Sequence, residues 1–470
     1  MSESCIEQRK DFASFRDPAG FVFYKNDEVF RYIAPSYYPQ YKKLMTSGLY
    51  ETLINKEYLI PFREVQKEYT PHGEALIIKP RKIPFISYPY EWTFSQLKEA
   101  AQLTLEIQRI ALGYGVQLKD ASSYNIQFIG TKPIFIDTLS FECWDGHIMW
   151  KAYKQFCQHF LGPLTICSFS DPRMKNLLSS HLDGIPLDFA KNLIPKKAYF
   201  NSSRFLHLWL HEFFQKKSNL LQQKEKSKRP DILPKKASPS AFGLVESLFK
   251  SILNLERKKE HSIWKSYYQG NSYEEEALHQ KKKVVATILS TLKPKMLWDL
   301  GANEGLFTEI VSKYSQYAVA FDVDLTCIEN MYNRLRKQKN ESILSLHIDI
   351  ANPSSGIGWV NKERMGIIER GPCDVALALA LIHHLIVSNS ISLKNIVKFF
   401  QEICSDLIIE YISPSDPKFR QICQTNPKDF SFFTEEFFIS NFCEKFLLKN
   451  RIPIQKSSRV LYHFQTKGNI

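Results

Sequence analysis

The C-terminal half of the chain alternates short apolar runs with segments of helical spacing, and this pattern constrains the fold more than any other feature. Apolar runs stand at 295–300 (KMLWDL), 318–324 (AVAFDVD), 343–349 (ILSLHID), 373–381 (CDVALALAL) and 406–412 (DLIIEYI). Between them, FTEIVSKYS, TCIENMYNRLRKQ and LKNIVKFFQEIC space their apolar residues as helices do. Strands that alternate with helices predict a parallel sheet with helices on both faces. EEFFISNFCEKF then reads as a further helix, and FLLKNRIPI and RVLYHFQ as an antiparallel hairpin at the end of the sheet.

A chain of 470 residues is too long for one ordinary core. The clearest boundary is the stretch 215–240, rich in Lys, Gln, Ser and Pro and free of aromatics, which reads as a basic, solvated linker. It divides an N-terminal α+β domain, 1–214, from a C-terminal α/β domain, 241–470.

In doubly wound sheets, ligands bind beyond the carboxyl ends of the strands, where the strand order switches. The first strand-to-helix turn is WDLGANEGLFTEI, which sets Asp299, Gly301, Asn303 and Gly305 at that edge. A dinucleotide fingerprint needs a second glycine two residues after the first, so that a pyrophosphate can reach the helix N-terminus. Asn303 holds that position, so the spacing disfavours a dinucleotide. Asp322 ends the second strand, where an acid can accept both hydroxyls of a ribose. Its plainer reading, shared with Asp324, is a turn residue. Asp299 could likewise cap the following helix.

The D-L-G-A-N-E-G pattern resembles the first motif of class I S-adenosylmethionine (SAM) methyltransferases. The resemblance implies that the Gly301–Gly305 backbone lies under SAM and that Asp299 helps position the loop or the amino-acid end of the cofactor. It also implies that Asp349, ending the third strand, accepts a hydrogen bond from the adenine amino group. CDVALALALIHHL is similar to the family's fourth-strand motif, with Asp374 before the strand as a further cofactor-binding residue. His383 and His384 follow that strand as catalytic candidates. Either one of them serves as general base toward an acceptor hydroxyl, or the rings pack against the cofactor. The implied fold is a seven-stranded Rossmann-like sheet whose last strand is antiparallel. The N/D-P-P-Y/F tetrapeptide of base amino-group methylation is replaced by Ala380-Leu381-Ile382-His383. The loops NPSSGIGW (352–359) and SPSDP (413–417) could line an acceptor pocket.

In the N-terminal half, LKDASSYNIQFIGTKPIFIDTLSFE (118–142) resembles the catalytic loop and metal-binding acid of the protein-kinase-like fold. That resemblance implies an ATP–Mg²⁺ site built from Asp120, Asn125 and Asp137. The glycine-rich phosphate loop of kinases is missing. Arg31 stands where a strand-borne lysine is expected, with Lys79 a remote alternative. Without that resemblance, these polar residues simply cap the turns of a hairpin.

Longer strings, among them FISYPYEWTFSQLKEAAQLTLE, LKDASSYNIQF, IFIDTLSFE, NPSSGIGWVNKER and LALALIHHL, are similar to a family of bacterial class I SAM-dependent methyltransferases related to nodulation proteins. The expected activity is therefore methyl transfer from SAM to an oxygen or nitrogen acceptor. The alternative is a bifunctional protein, or one whose N-terminal domain is a pseudo-kinase that binds ATP–Mg²⁺.

The formal net charge is +13, spread along the chain. It reads as a lysine-rich background more readily than as a nucleic-acid surface. The nine cysteines form no CxxC pair, so neither zinc nor a disulfide framework is indicated, and no metal is expected in the methyltransferase domain. No apolar run is long enough to span a membrane. The polar first residues lack a signal-peptide core, so a cytoplasmic location is expected.

Overall fold

The computed structural model describes residues 10–70, 73–144, 146, 150–196, 198, 207–208, 238–258, 275–424, 426 and 428–468. The chain falls into two compact units. The first comprises 1–128, 133–259 and 357–364, and the second 129–132, 260–356 and 365–470. Most of the expected linker, 215–237, lies outside the described residues. The helix that follows it, Pro239–Leu253, groups with the first unit, so the division falls later than residue 240.

In the first unit, strands β1 (Gly20–Lys25), β2 (Glu28–Ile33), β3 (Phe62–Thr70) and β4 (Gly73–Pro80) form an antiparallel sheet in the order β1-β2-β4-β3. Helices α1 (Tyr38–Thr46) and α2 (Leu49–Asn55) connect β2 to β3. The longest helix, α3 (Phe94–Gly113), begins at a capping box. Thr93 accepts from Gln96 N–H, and the Gln96 side chain accepts from Thr93 N–H. Helix α4 (Pro239–Leu253) packs along it. After α3 come two small antiparallel pairs. One joins β5 (Val116–Leu118) to β8 (Phe141–Cys143), and the other joins β6 (Ile126–Ile129) to β7 (Lys132–Phe135).

The second unit is built on one sheet of seven strands. These are β9 (Met296–Leu300), β10 (Tyr317–Asp322), β11 (Ile343–His347), β12 (Cys373–Ala378), β13 (Cys404–Ile412), β14 (Phe446–Pro453) and β15 (Arg459–Thr466). Their order is β11-β10-β9-β12-β13-β15-β14. Strands β9 to β13 are mutually parallel, and β15 runs antiparallel to both β13 and β14. The two terminal runs therefore pair as a hairpin, but its second strand is inserted between β13 and β14. The strand order reverses between β9 and β12, which opens a crevice at their carboxyl ends.

Each face of the sheet is sealed by a different set of apolar residues, as period-two geometry requires. Leu297, Ala318, Ala320, Ile343, Val375, Leu377, Ile408 and Leu461 form one core with three helices. These are α5 (Glu275–Leu292), α6 (Leu306–Val311) and α7 (Leu325–Lys337). The opposite side, toward the end of the sheet, is an aromatic layer. Phe438 and Phe442 of α9 (Glu435–Lys445) lie 5.2 Å from Tyr462 and 5.1 Å from Phe464, ring centre to ring centre, and Phe400 of α8 (Leu393–Ile403) joins them. Among the described residues, no helix is long and apolar enough to cross a membrane.

Phe438 is fully buried, whereas Leu448 on the edge strand is 39% exposed. Phe438→Ala is expected to destabilise the second unit by about 3–5 kcal/mol, and Leu448→Ala by no more than about 0.5 kcal/mol. Denaturant unfolding of the two variants checks this difference.

Candidate functional site at the carboxyl edge of the sheet

The turn after β9 is held open by three residues in the left-handed region: Gly301 (φ 80°), Asn303 (φ 52°) and Gly305 (φ 81°). The two glycines meet different demands. A Cβ on Gly305 would lie 2.5 Å from Cε of Met331 on α7, so that glycine serves the packing of helix on helix. A Cβ on Gly301 would meet only Leu381, at 3.4 Å, in the turn beyond β12. Gly301 thus faces the crevice, and its backbone can be approached closely.

The turn is anchored to β10. Gly301 and Ala302 both donate to the carbonyl of Phe321, and Asn303 N–H donates to Asp322 Oδ2 at 2.7 Å. Asp324 N–H donates to the other carboxylate oxygen, also at 2.7 Å, and Val323 N–H faces the same group. Asp322 is therefore more than a turn residue. Asp324 has the plainer role and caps α7 by accepting from Thr326 and Cys327. Burial pushes the Asp322 carboxyl up to about 6.

Asp299 is 2% exposed and accepts from Thr308 Oγ at 2.6 Å, which fastens β9 to α6. Burial, reinforced by the charge of Asp322, pushes it up to about 7. It braces the turn from beneath. Asp349 lies just past β11, where its Oδ1 accepts from Ala351 N–H at 2.8 Å.

Beyond β12, Ala380 adopts φ 52° and starts the turn that carries the histidines. His383 is 1% exposed, and its Nδ1 is buried with no hydrogen-bond partner among the described residues. Its ring lies 4.2 Å from that of His384 and 6.3 Å from Phe419. Burial lowers both imidazoles, His384 to about 4 and His383 well below its usual value, so both are neutral at pH 7. A neutral imidazole can accept a proton.

Asp374 departs from expectation. It opens β12, is exposed, and accepts from Lys295 N–H and Met296 N–H at 2.7 and 2.8 Å. Parallel neighbours begin at the same edge, so Asp374 ties the starts of β9 and β12 together at the edge opposite the crevice. The loop 352–359 is also split between the units, because 357–364 belongs to the first, where Glu363 accepts from Arg16 at 3.0 Å. SPSDP supplies the cap of a helix, Asp416, which accepts from Lys418 N–H.

In the first unit, Asp120, Asn125 and Asp137 come together. Asn125 Nδ2 donates to Ser140 Oγ at 3.2 Å, Ser140 donates to Asp137 Oδ2 at 2.5 Å, and Asp120 is close enough to Asp137 to be raised by its charge as well as by burial. Asp137 Oδ1 also accepts from Leu139 N–H and pairs with Arg31 at 2.7 Å, while Arg31 pairs with Asp17 at 2.9 Å. Lys79 instead pairs with Glu28. Among the described residues, no group of three or more His, Cys, Asp or Glu is arranged to hold a metal ion.

The raised carboxyls have a consequence for stability. A carboxyl raised in the folded state contributes stability that is complete below its unfolded value, near 4, and is lost as pH rises through about 7. Asp299→Asn is therefore expected to remove a decline in stability between about pH 4 and 7. Unfolding free energies of wild type and variant, taken as a difference across that range, cancel the opposing slope of the buried histidines.

No family model matches the chain. Among solved structures, the chain is similar to the N-methyltransferase NodS from Bradyrhizobium japonicum WM9, at 14% identity over 40% of this chain and 97% of that one, with a TM-score of 0.30. An rRNA methylase from Escherichia coli is similar at 9% identity over 41% of this chain and 66% of that one, with a TM-score of 0.30. Among curated proteins, nodulation protein NoeA of Rhizobium meliloti (strain 1021) is 31% identical over 459 residues, covering 96% of this chain and 95% of its own. Over that length and identity the relationship is one of common family, and the chain belongs to the family of nodulation protein NoeA.

Proposed function

We propose that the second unit is a class I SAM-dependent methyltransferase that moves a methyl group to an oxygen or nitrogen acceptor. One observation carries the reading. The left-handed turn 301–305 and the Asp322 carboxylate are hydrogen-bonded to each other at the carboxyl edge, beside the point where strand order reverses. The single reversed strand, β15, in a seven-stranded sheet supports the same reading.

The residues fit such a cofactor. A carboxylate can accept about four hydrogen bonds, so Asp322 keeps capacity for ribose hydroxyls beyond the backbone donors it already has. Gly301 and Asn303 would pass their backbone beneath the amino-acid end, and Asp349 would meet the adenine. When bound, SAM supplies an electrophilic methyl group on a sulfonium. The chain's own contribution is to hold the acceptor in line with it, and proximity of this kind supplies much of the rate. His383, with an unpartnered Nδ1, is the candidate to hold the acceptor by a hydrogen bond, since the burial that keeps its ring neutral also disfavours the imidazolium a general base would become.

Calorimetry with S-adenosylhomocysteine (SAH) tests the reading. Asp322→Ala is expected to weaken binding by about 10-fold or more, since a hydrogen bond to a charged group is worth about 1.5–3 kcal/mol. Asp374→Ala, at the far edge, is expected to change it by less than about twofold. No binding by the unaltered protein, or equal loss in both variants, overturns the reading.

A second reading, in which the first unit binds ATP–Mg²⁺, is favoured by the convergence of Asp120, Asn125 and Asp137 and opposed by the Arg31 pairing. A metal ion on Asp137 would have to displace that guanidinium. ATP–Mg²⁺ binding that is present in wild type and lost in Asp137→Ala supports it, and no binding in wild type removes it.

A further inference from the structure

Two buried ion pairs lie in the second unit close to the crevice, and neither belongs to the cofactor loop. Glu410, near the end of β13, is fully buried, and its Oε2 accepts from Lys281 Nζ of α5 at 2.6 Å. Lys281 is itself only 1% exposed. The same Oε2 accepts from Ala380 N–H at 2.8 Å. On the other side, Arg459 NH1 stands 3.7 Å from Glu410 Oε1 and its Nε donates to Asp416 Oδ2 at 2.9 Å.

The two ends of this chain of charges converge on one side chain. Ala380 opens the turn that carries His383. Asp416 caps the helix Pro417–Cys423, and Phe419 of that helix stacks along His383. Stability is a poor explanation for burying four charges. Desolvation offsets most of the attraction, and apolar replacements of similar volume are often neutral or stabilising. What such a network supplies is a fixed geometry, and here it fixes a turn that begins with a non-glycine residue at φ 52°.

We propose that Glu410 is the positioning residue of the site. Its carboxylate, neutralised by Lys281, holds the Ala380–His384 turn, and with Arg459 and Asp416 it sets the orientation of the His383 ring. What His383 does there rests on the methyltransferase reading, whereas the hold on the turn does not.

The test keeps the interior neutral. Lys281→Met/Glu410→Gln removes both charges of the pair but leaves an amide oxygen for Ala380 N–H. Lys281→Met/Glu410→Leu removes the acceptor as well. Amide exchange at Ala380 is expected to be about tenfold or more faster in the Leu variant than in the Gln variant. The imidazole resonances of His383, which feel the charges of Lys281 and Arg459 in either case, are expected to move further in the Leu variant than in the Gln variant. SAH affinity, measured in parallel, is expected to stay within about threefold in the Gln variant, where Ala380 N–H keeps an acceptor and the 301–305 turn and Asp322 do not touch the substituted residue. Equal Ala380 exchange and equal histidine spectra in the two variants would overturn the proposal. Absence of SAH binding in the unaltered protein removes the methyltransferase reading and leaves the exchange result to stand alone. Should neither variant fold, the unaltered protein decides. Ala380 N–H is then expected to be as protected as the amides of β12, and exchange at the rate of an exposed loop contradicts the assignment.

Discussion

Much of the candidate site depends on a single hydrogen bond, from the backbone N–H of Asn303 to the carboxylate of Asp322. It joins the turn after the first strand of the sheet to the end of the second. A left-handed turn between a buried strand and the helix that follows it is conformationally expensive for any residue with a Cβ. Asn303 tolerates it, because asparagine visits this region more readily than most residues. The bond to Asp322 over-determines the conformation, and Asp299 fastens the same turn to α6 from below. Two carboxyls are thereby buried within reach of each other's charge, and both are raised. The crevice is built at a cost in stability, which the apolar cores on the two faces of the sheet offset.

A second constraint acts at the neighbouring turn. There the chain uses charge rather than glycine to hold an unusual backbone, with Glu410 beneath Ala380 and Lys281 beneath Glu410. The two turns face each other across the crevice, since a side chain on Gly301 would meet Leu381. One turn carries open backbone and a carboxylate, and the other carries the buried imidazole of His383.

The five parallel strands were legible because they are buried on both faces and stand out as apolar runs. The apolar runs at 318–324, 343–349 and 373–381 overshoot the strand ends by two or three residues, since the strands end at Asp322, His347 and Ala378. The insertion of β15 between β13 and β14 was not legible, because hairpin pairing does not reveal which strand faces the sheet. The place of Asp374 at the opposite edge is also legible in the sequence. It precedes its strand, and the start of a parallel strand lies away from the ligand edge. The Glu410–Lys281 pair also leaves a signal in the sequence, an acid between Ile409 and Tyr411 in the stretch 407–412, which is otherwise apolar. The place of the Pro239–Leu253 helix depends on its packing against α3, which periodicity cannot report.

The most direct measurement of the central claim is an amide-resolved titration of the protein with SAH. Binding at the carboxyl edge is expected to shift the resonances of Gly301, Asn303 and Asp324, which line or brace the turn. Lys295 and Met296, held by Asp374 at the opposite edge, are expected to stay in place. Shifts confined to Lys295 and Met296, or no shift at Asn303 and Asp324 at saturating SAH, would contradict the account.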